Sequence, residues 1–385
     1  MFQNNYTFST GGILTIHEGV LKINKNAFKN REDIIKVIFP KSLLTIGKYA
    51  FCACSNLQDV VTNSNLKVIE QGAFQNCFKL VSFNIPSTVH TIGRSAFNCC
   101  YSLESPIVIP NKIKVLADSI FFNCKKIPSF VFPSKLKKIG ALAFFGCSSI
   151  TSFSIPETVK NIEEFSLCHC QKIQEIILPS NIENIGKSAF SSCTNLRRIT
   201  IPPKVTLVEK ACFMNCERLE EVVFSGPILK IRSSAFSGCK MLQRINFPDS
   251  LVKIGRYALS WCSSLREITF PQSLLKISQY AFCSCRNLEN VHFSEFNNCE
   301  LHENSFNRCD KLKFRRNFNE KMYGDLTVEE KRFEPKYCLS GDDFHENMPI
   351  IILKCGHFSE KEALLEWIEI ANICPFCRVN LGFMK

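Results

Sequence analysis

The chain has 385 residues, 45% hydrophobic and 21% charged, with 47 basic side chains against 35 acidic ones and a net charge of +12. This is the balance of a folded polypeptide in water, and no apolar run approaches the roughly 18 residues that a membrane-spanning helix needs. The positive excess raises nucleic acid or an anionic surface as a partner, and the placement of the charges has to decide.

The N-terminal stretch MFQNNYTFSTGGILTI lacks a basic segment followed by an apolar one, so no secretory signal is expected. The 22 cysteines are therefore expected as thiols or metal ligands rather than disulfides, in a cytoplasmic or nuclear protein. Leu14 and Ile16 stand 23 residues before Val37 and Phe39 and predict a first, capping strand.

From there the sequence keeps time. Phe28, Phe51, Phe74, Phe97, Phe121, Phe144, Leu167, Phe190, Phe213, Phe236, Leu259, Phe282 and Phe306 follow at steps of 23 residues, twice 24. Three residues after each comes a cysteine, from Cys54 to Cys309, with Arg31 alone breaking the column. A fixed period of this length predicts a solenoid rather than two or three compact domains.

Each unit predicts a short strand, such as Phe83 to Ile85, then a proline that ends pairing, then a turn. The Ile-Gly step at Gly47, Gly93, Gly140, Gly186 and Gly255 is expected to let the backbone bend before a single helical turn carrying Ala-Phe-x-x-Cys. The fold predicted is a repeat solenoid with one parallel sheet of about thirteen rungs, its core built of stacked Phe, Leu, Ile and small Cys. The cysteine column reads as packing rather than as a redox or metal device.

The solvent-facing positions of the strands mix signs, as in Arg198, Glu221, Arg244 and Glu267, with Asn246 and His292 among their companions. A nucleic-acid footprint needs a one-signed stripe and aromatic platforms, so a protein partner is expected and no nucleic acid. Those six residues are the candidate substrate-binding positions. Lys230, Lys253 and Lys276 recur in step at an edge, which reads as a solvated face.

The repeat, written IP-x-x-[LV]-x-x-IG-x-x-AF-x-x-C-x-x-L-x-x-[IV]-x-IP, resembles the BspA-like (Treponema-type) leucine-rich repeats over roughly residues 14 to 312. The resemblance implies a curved solenoid that binds proteins, in a family that includes surface antigens and adhesins.

After Phe306 the clock stops. Residues 1–313 are expected as the solenoid, 314–335 as a charged linker and 336–385 as a small zinc-binding domain of mixed α and β structure. In that last segment Cys355-x-His357 and Cys374-x-x-Cys377 flank a helix-like stretch from Glu360 to Ile370. Two close pairs of this kind suit a single tetrahedral zinc, and three thiolates with one imidazole leave no open position for water. The metal expected is one structural zinc, held by Cys355, His357, Cys374 and Cys377.

CGHFSEKEALLEWI followed by CPFC resembles the RING and U-box superfamily of ubiquitin ligases. The second zinc site of that pattern would need cysteine or histidine at Cys338, Gly341, Glu360 and Ala363, and keeps one of the four, so the domain reads as a degenerate RING. One-zinc SP-RING domains and the Gid-type RING of CTLH-complex subunits are similar. The resemblance implies an E2 contact through Leu339, Trp367 and Pro375, with Arg378 steadying the E2-ubiquitin conjugate. Trp367 serves equally as core, since Ala363, Leu364, Trp367 and Ile368 recur at helical spacing. The function expected is an E3 ubiquitin ligase or ligase adaptor. A non-enzymatic recognition or adhesion protein and a SUMO ligase are the alternatives.

Overall fold

The computed structural model describes residues 5–293, 299–314, 350–352 and 358–360. The chain divides into two compact units, Met1–Val205 and Thr206–Lys385. In both, the described repeats wind as a parallel β-solenoid, and most coils contribute two short strands rather than one.

In the first unit, Ile13–Ile16 pairs in parallel with Lys36–Ile38, and that strand with Asp59–Val61. Tyr6–Ser9 folds back antiparallel on Ile13–Ile16, so the expected capping strand is the second arm of a hairpin. A second ladder runs beside the first through Lys22–Ile23, Thr45–Ile46, Val68–Ile69 and Thr91–Ile92. Register follows the period: Asn161 faces Asn184 and Ile162 faces Ile185. In the second unit Lys230–Ile231, Lys253–Ile254, Lys276–Ile277 and Glu300–Leu301 form one ladder. Glu267–Phe270, Asn290–Phe293 and Lys313–Phe314 form the other. The expected sheet is thus present as a series of shorter ladders, and the strand expected from Phe83 to Ile85 is not formed, a single bridge from Ser82 to Asp59 standing in its place.

The Ala-Phe-x-x-Cys segment is not helical. Tyr49 and Ala53 both take left-handed backbone, at φ of 55° and 59°, and the same two positions do so in coil after coil. The segment closes instead as successive tight turns, with the Ala50 amide donating to Gly47 O at 3.2 Å and the Cys54 amide to Phe51 O at 3.1 Å. Among the described residues the one helical turn is the 3₁₀ segment Glu303–Phe306. The glycine before the turn answers a different need from the one expected. Gly140 is there for space, since a Cβ would lie 2.6 Å from the carbonyl oxygen of Leu116 in the coil before.

The core is the predicted column. Phe28, Phe51, Phe74, Phe97, Phe121 and Phe144 stack with centroids 5.3 to 6.0 Å apart and planes within 14° of parallel. Phe83 lies 4.9 Å from both Phe74 and Phe97 and wedges between their edges. Column cysteines also donate their thiols to a carbonyl in the preceding coil: Cys54 Sγ to Phe28 O, Cys77 to Phe51 and Cys147 to Phe121, all at 3.1 Å. The first unit has no clock phenylalanine before Phe28 to supply that acceptor, and its column position is Arg31. Arg31 instead bonds Asp33 at 2.7 Å and lies over the Phe8 ring at 5.0 Å.

Candidate functional site

The six candidate substrate-binding residues occupy the sheet face, and the structure brings only some of them together. Arg198 opens the strand Arg198–Ile201 in the first unit, opposite Glu175. The other five lie in the second. Glu221 opens Glu221–Phe224, and Glu267 opens Glu267–Phe270. His292 sits opposite Thr269 on the neighbouring strand. His292 Nε2 lies 2.9 Å from Glu267 Oε1 without the geometry of a hydrogen bond, so the pair attract only when the imidazole is protonated.

Arg244, Asn246 and Glu267 share one groove of about 630 Å³. Its other walls include Gln243, Arg266, Thr269 and Asn287, residues the sequence reading did not single out. Arg266 and Gln243 stand one place before the column chosen from the sequence, where the chain is only entering the strand. The groove coincides with a gap in the ladder. Residues 242–248 carry no strand, although Ile245 remains 3% exposed and the Phe247 ring stacks on Phe270 at 5.8 Å.

The column thiols offer no competing chemistry. Burial pushes Cys54 up to about 12 and holds Cys77, Cys100 and Cys124 well above the ordinary thiol value. A thiol is a nucleophile or a metal ligand only as thiolate, so these groups are inert at neutral pH. Among the described residues no group of three or more His, Cys, Asp or Glu is placed to hold a metal.

The zinc candidates Cys355, His357, Cys374 and Cys377 lie outside the described residues, as do Leu339, Trp367, Pro375 and Arg378. The expected helix from Glu360 does too, apart from Glu360 itself, which ends a strand. Ile350–Ile352 pairs antiparallel with Phe358–Glu360, Ile352 facing Phe358. The Cys355-x-His357 pair falls in the sequence between those two strands.

The repeats over residues 3–128, 91–220 and 206–323 match the BspA type leucine rich repeat region, in six copies. The chain belongs to the BspA-type leucine-rich repeat family. Beyond these leucine-rich repeats, residues 337–378 match the Ring finger domain. No curated protein matches the chain. Among solved structures, a leucine-rich repeat protein from Bacteroides ovatus is similar, with 24% identity and a TM-score of 0.63 over 80% of this chain and 91% of that one. A leucine-rich repeat protein from Eubacterium ventriosum shares 19% identity with a TM-score of 0.52, over 79% of this chain and 92% of its own. A leucine rich cell surface protein from Faecalibacterium prausnitzii shares 24% identity with a TM-score of 0.50, over 75% and 92%. At these identities the likeness speaks for the fold. Leucine-rich repeats of this kind are a protein-binding scaffold, and no helix among the described residues is long and apolar enough to cross a membrane.

Proposed function

We propose that this BspA-type repeat protein is an E3 ubiquitin ligase or the adaptor of one. The coils hold a protein substrate and the terminal segment recruits a ubiquitin-loaded E2. The observation that supports this reading is the Ring finger match at 337–378 on the same chain as a protein-binding scaffold. Cys355, His357, Cys374 and Cys377 would hold one zinc, and this donor set of three thiols and an imidazole fits a closed tetrahedral site. The metal supplies architecture there, with no position left for a reacting water.

This chain contributes no nucleophile in the reading. The thioester belongs to the E2, and the gain in rate comes from holding donor and acceptor together. Leu339, Trp367 and Pro375 give the E2 an apolar contact, and Arg378 steadies the conjugate. The test is single-turnover discharge of ubiquitin from a panel of charged E2 enzymes onto free lysine. The full chain should accelerate discharge from at least one E2, and Trp367→Ala or Arg378→Ala should remove about tenfold or more of that acceleration. No acceleration with any E2 would end the proposal, and acceleration confined to the SUMO-specific E2 would reassign the modifier.

A further inference from the structure

The groove over residues 243–247 lies at a break in its ladder, as residues 83–86 do in the first unit, where a single bridge from Ser82 to Asp59 remains. In an ordinary coil the residue entering the strand donates to the coil before it, as Arg197 does to Gln174 O at 3.0 Å and Glu289 to Arg266 O at 2.8 Å. Among the described residues, 243–247 make no backbone hydrogen bond to either neighbouring coil. The side chains of Ile245 and Phe247 keep this rung in the column, so the gap belongs to the main chain alone. An unpaired rung is a row of donors and acceptors that an incoming extended chain can use.

The charges on the groove are also unmatched. Elsewhere among the described residues of this unit several cations are paired, Arg232 with Glu209 at 3.4 Å, Lys240 with Glu217 at 2.9 Å and Lys276 with Glu300 at 2.8 Å, while Lys230 and Lys253 on the other ladder are not. Arg244 and Arg266 sit exposed on consecutive coils, and among the described residues neither has an ion-pair partner. One acid, Glu267, lines the groove beside them, so it carries an excess of positive charge even when His292 is neutral. Gln243, Asn246 and Asn287 add amide donors.

We propose that this groove binds an extended acidic segment of the protein substrate, its carboxylates on Arg244 and Arg266 and its backbone along the unpaired rung 243–247. The proposal rests on the reading of the sheet face as the substrate surface and names the class of substrate that surface takes. Guanidinium groups match carboxylates in a planar, two-bond geometry that ammonium groups lack. Acids at every second residue of an extended chain recur about 6.6 Å apart on one side, close enough to serve arginines on neighbouring coils. No aromatic ring lines the groove, so it has no platform on which the bases of a single strand could stack.

The test uses the full chain and a fluorescein-labelled peptide of alternating Glu and Ser, read by fluorescence anisotropy. The matched Gln-Ser peptide and a short oligo-dT serve as comparisons. The acidic peptide should bind, and the Gln-Ser peptide should bind about tenfold more weakly or worse. Arg244→Ala with Arg266→Ala should cost about tenfold or more in affinity, while Lys230→Ala with Lys253→Ala, on the other ladder, should leave it unchanged. Both pairs are exposed, so thermal midpoints should match the parent and exclude misfolding. Equal binding by the arginine variant, loss in the lysine variant instead, no binding by the parent, or a preference for oligo-dT would each overturn the proposal. E2 discharge onto free lysine does not pass through the groove, so the ligase reading stands or falls by its own assay.

Discussion

In the coils a cysteine recurs with the period of the fold and lies against the carbonyl of the coil before it. In residues 337–378 cysteines stand in close pairs with a histidine, out of step with that period. The same side chain is thus set up for two chemistries by its neighbours. A column thiol has a carbonyl to donate to and no water to ionise into, so it stays protonated and acts as a small apolar filler that also makes a hydrogen bond. Close pairs with no repeat register to serve are free to ionise together around a cation. Spacing, rather than the count of cysteines, is what sets the packed thiols apart from the pairs proposed to hold zinc.

The largest expected effect tests the metal half of that contrast. Replacing His357→Ala together with Cys374→Ser should take the zinc content from one per chain to none and abolish E2 discharge. The binding energy removed is on the order of 10 kcal/mol or more for a structural site. The far-ultraviolet signature of the coils should stay unchanged. Zinc retained by this variant would erase the distinction between the two kinds of cysteine.

Next in size is the column itself. Phe144 is fully buried, stacks on Phe121 at 6.0 Å and meets Phe130 edge-on at 4.6 Å. Phe144→Ala should cost about 3–5 kcal/mol in denaturant unfolding through the cavity it leaves, while the affinity of the zinc site is unaffected. A loss below about 1 kcal/mol would mean that neighbouring coils collapse into the space.

The smallest expected effect is the pH dependence of the column thiols. Their folded pKa values lie above the ordinary 9.0, with Cys54 at about 12. Between about pH 9 and 12 the unfolded chain has therefore lost thiol protons that the folded chain keeps, so unfolding releases protons and stability falls as pH rises. Below about pH 9 both states are protonated and the contribution is flat. Urea midpoints should hold from pH 7 to about 9 and then decline, whereas a rise across that upper window would contradict buried neutral thiols.

Much of the fold was legible because it repeats. A single Ala-Phe pair says little, but thirteen rungs in step fix the phenylalanine column, the cysteine column and the strand register together. The tight turns were not legible. Tyr49, Leu142, Phe165 and Trp261 all take positive φ, and none of them carries a local signal for it. The demand comes from closing a coil in few residues, and the sequence within one coil reads as a good helical turn. The groove was half visible: Arg244, Asn246 and Glu267 stand in the expected outward column, but the gap that joins them leaves no mark in the sequence. Ile245 and Phe247 continue the repeat pattern while their main chain departs from the ladder. The terminal Cys and His pairs were read from spacing alone, and the zinc they are proposed to hold rests on that reading and on the Ring finger match.

The thiol of Cys147 reaches the carbonyl of Phe121, 26 residues earlier, and Cys77 and Cys54 span the same interval, so the partners of one coil are always the equivalent atoms of the coil beside it. Within a regular run, excising a segment one period long would bring together two faces that already fit, and inserting one would add a layer without disturbing the seams. Unequal crossing-over between copies can therefore lengthen or shorten such a run in whole layers, each product arriving with its joints already matched.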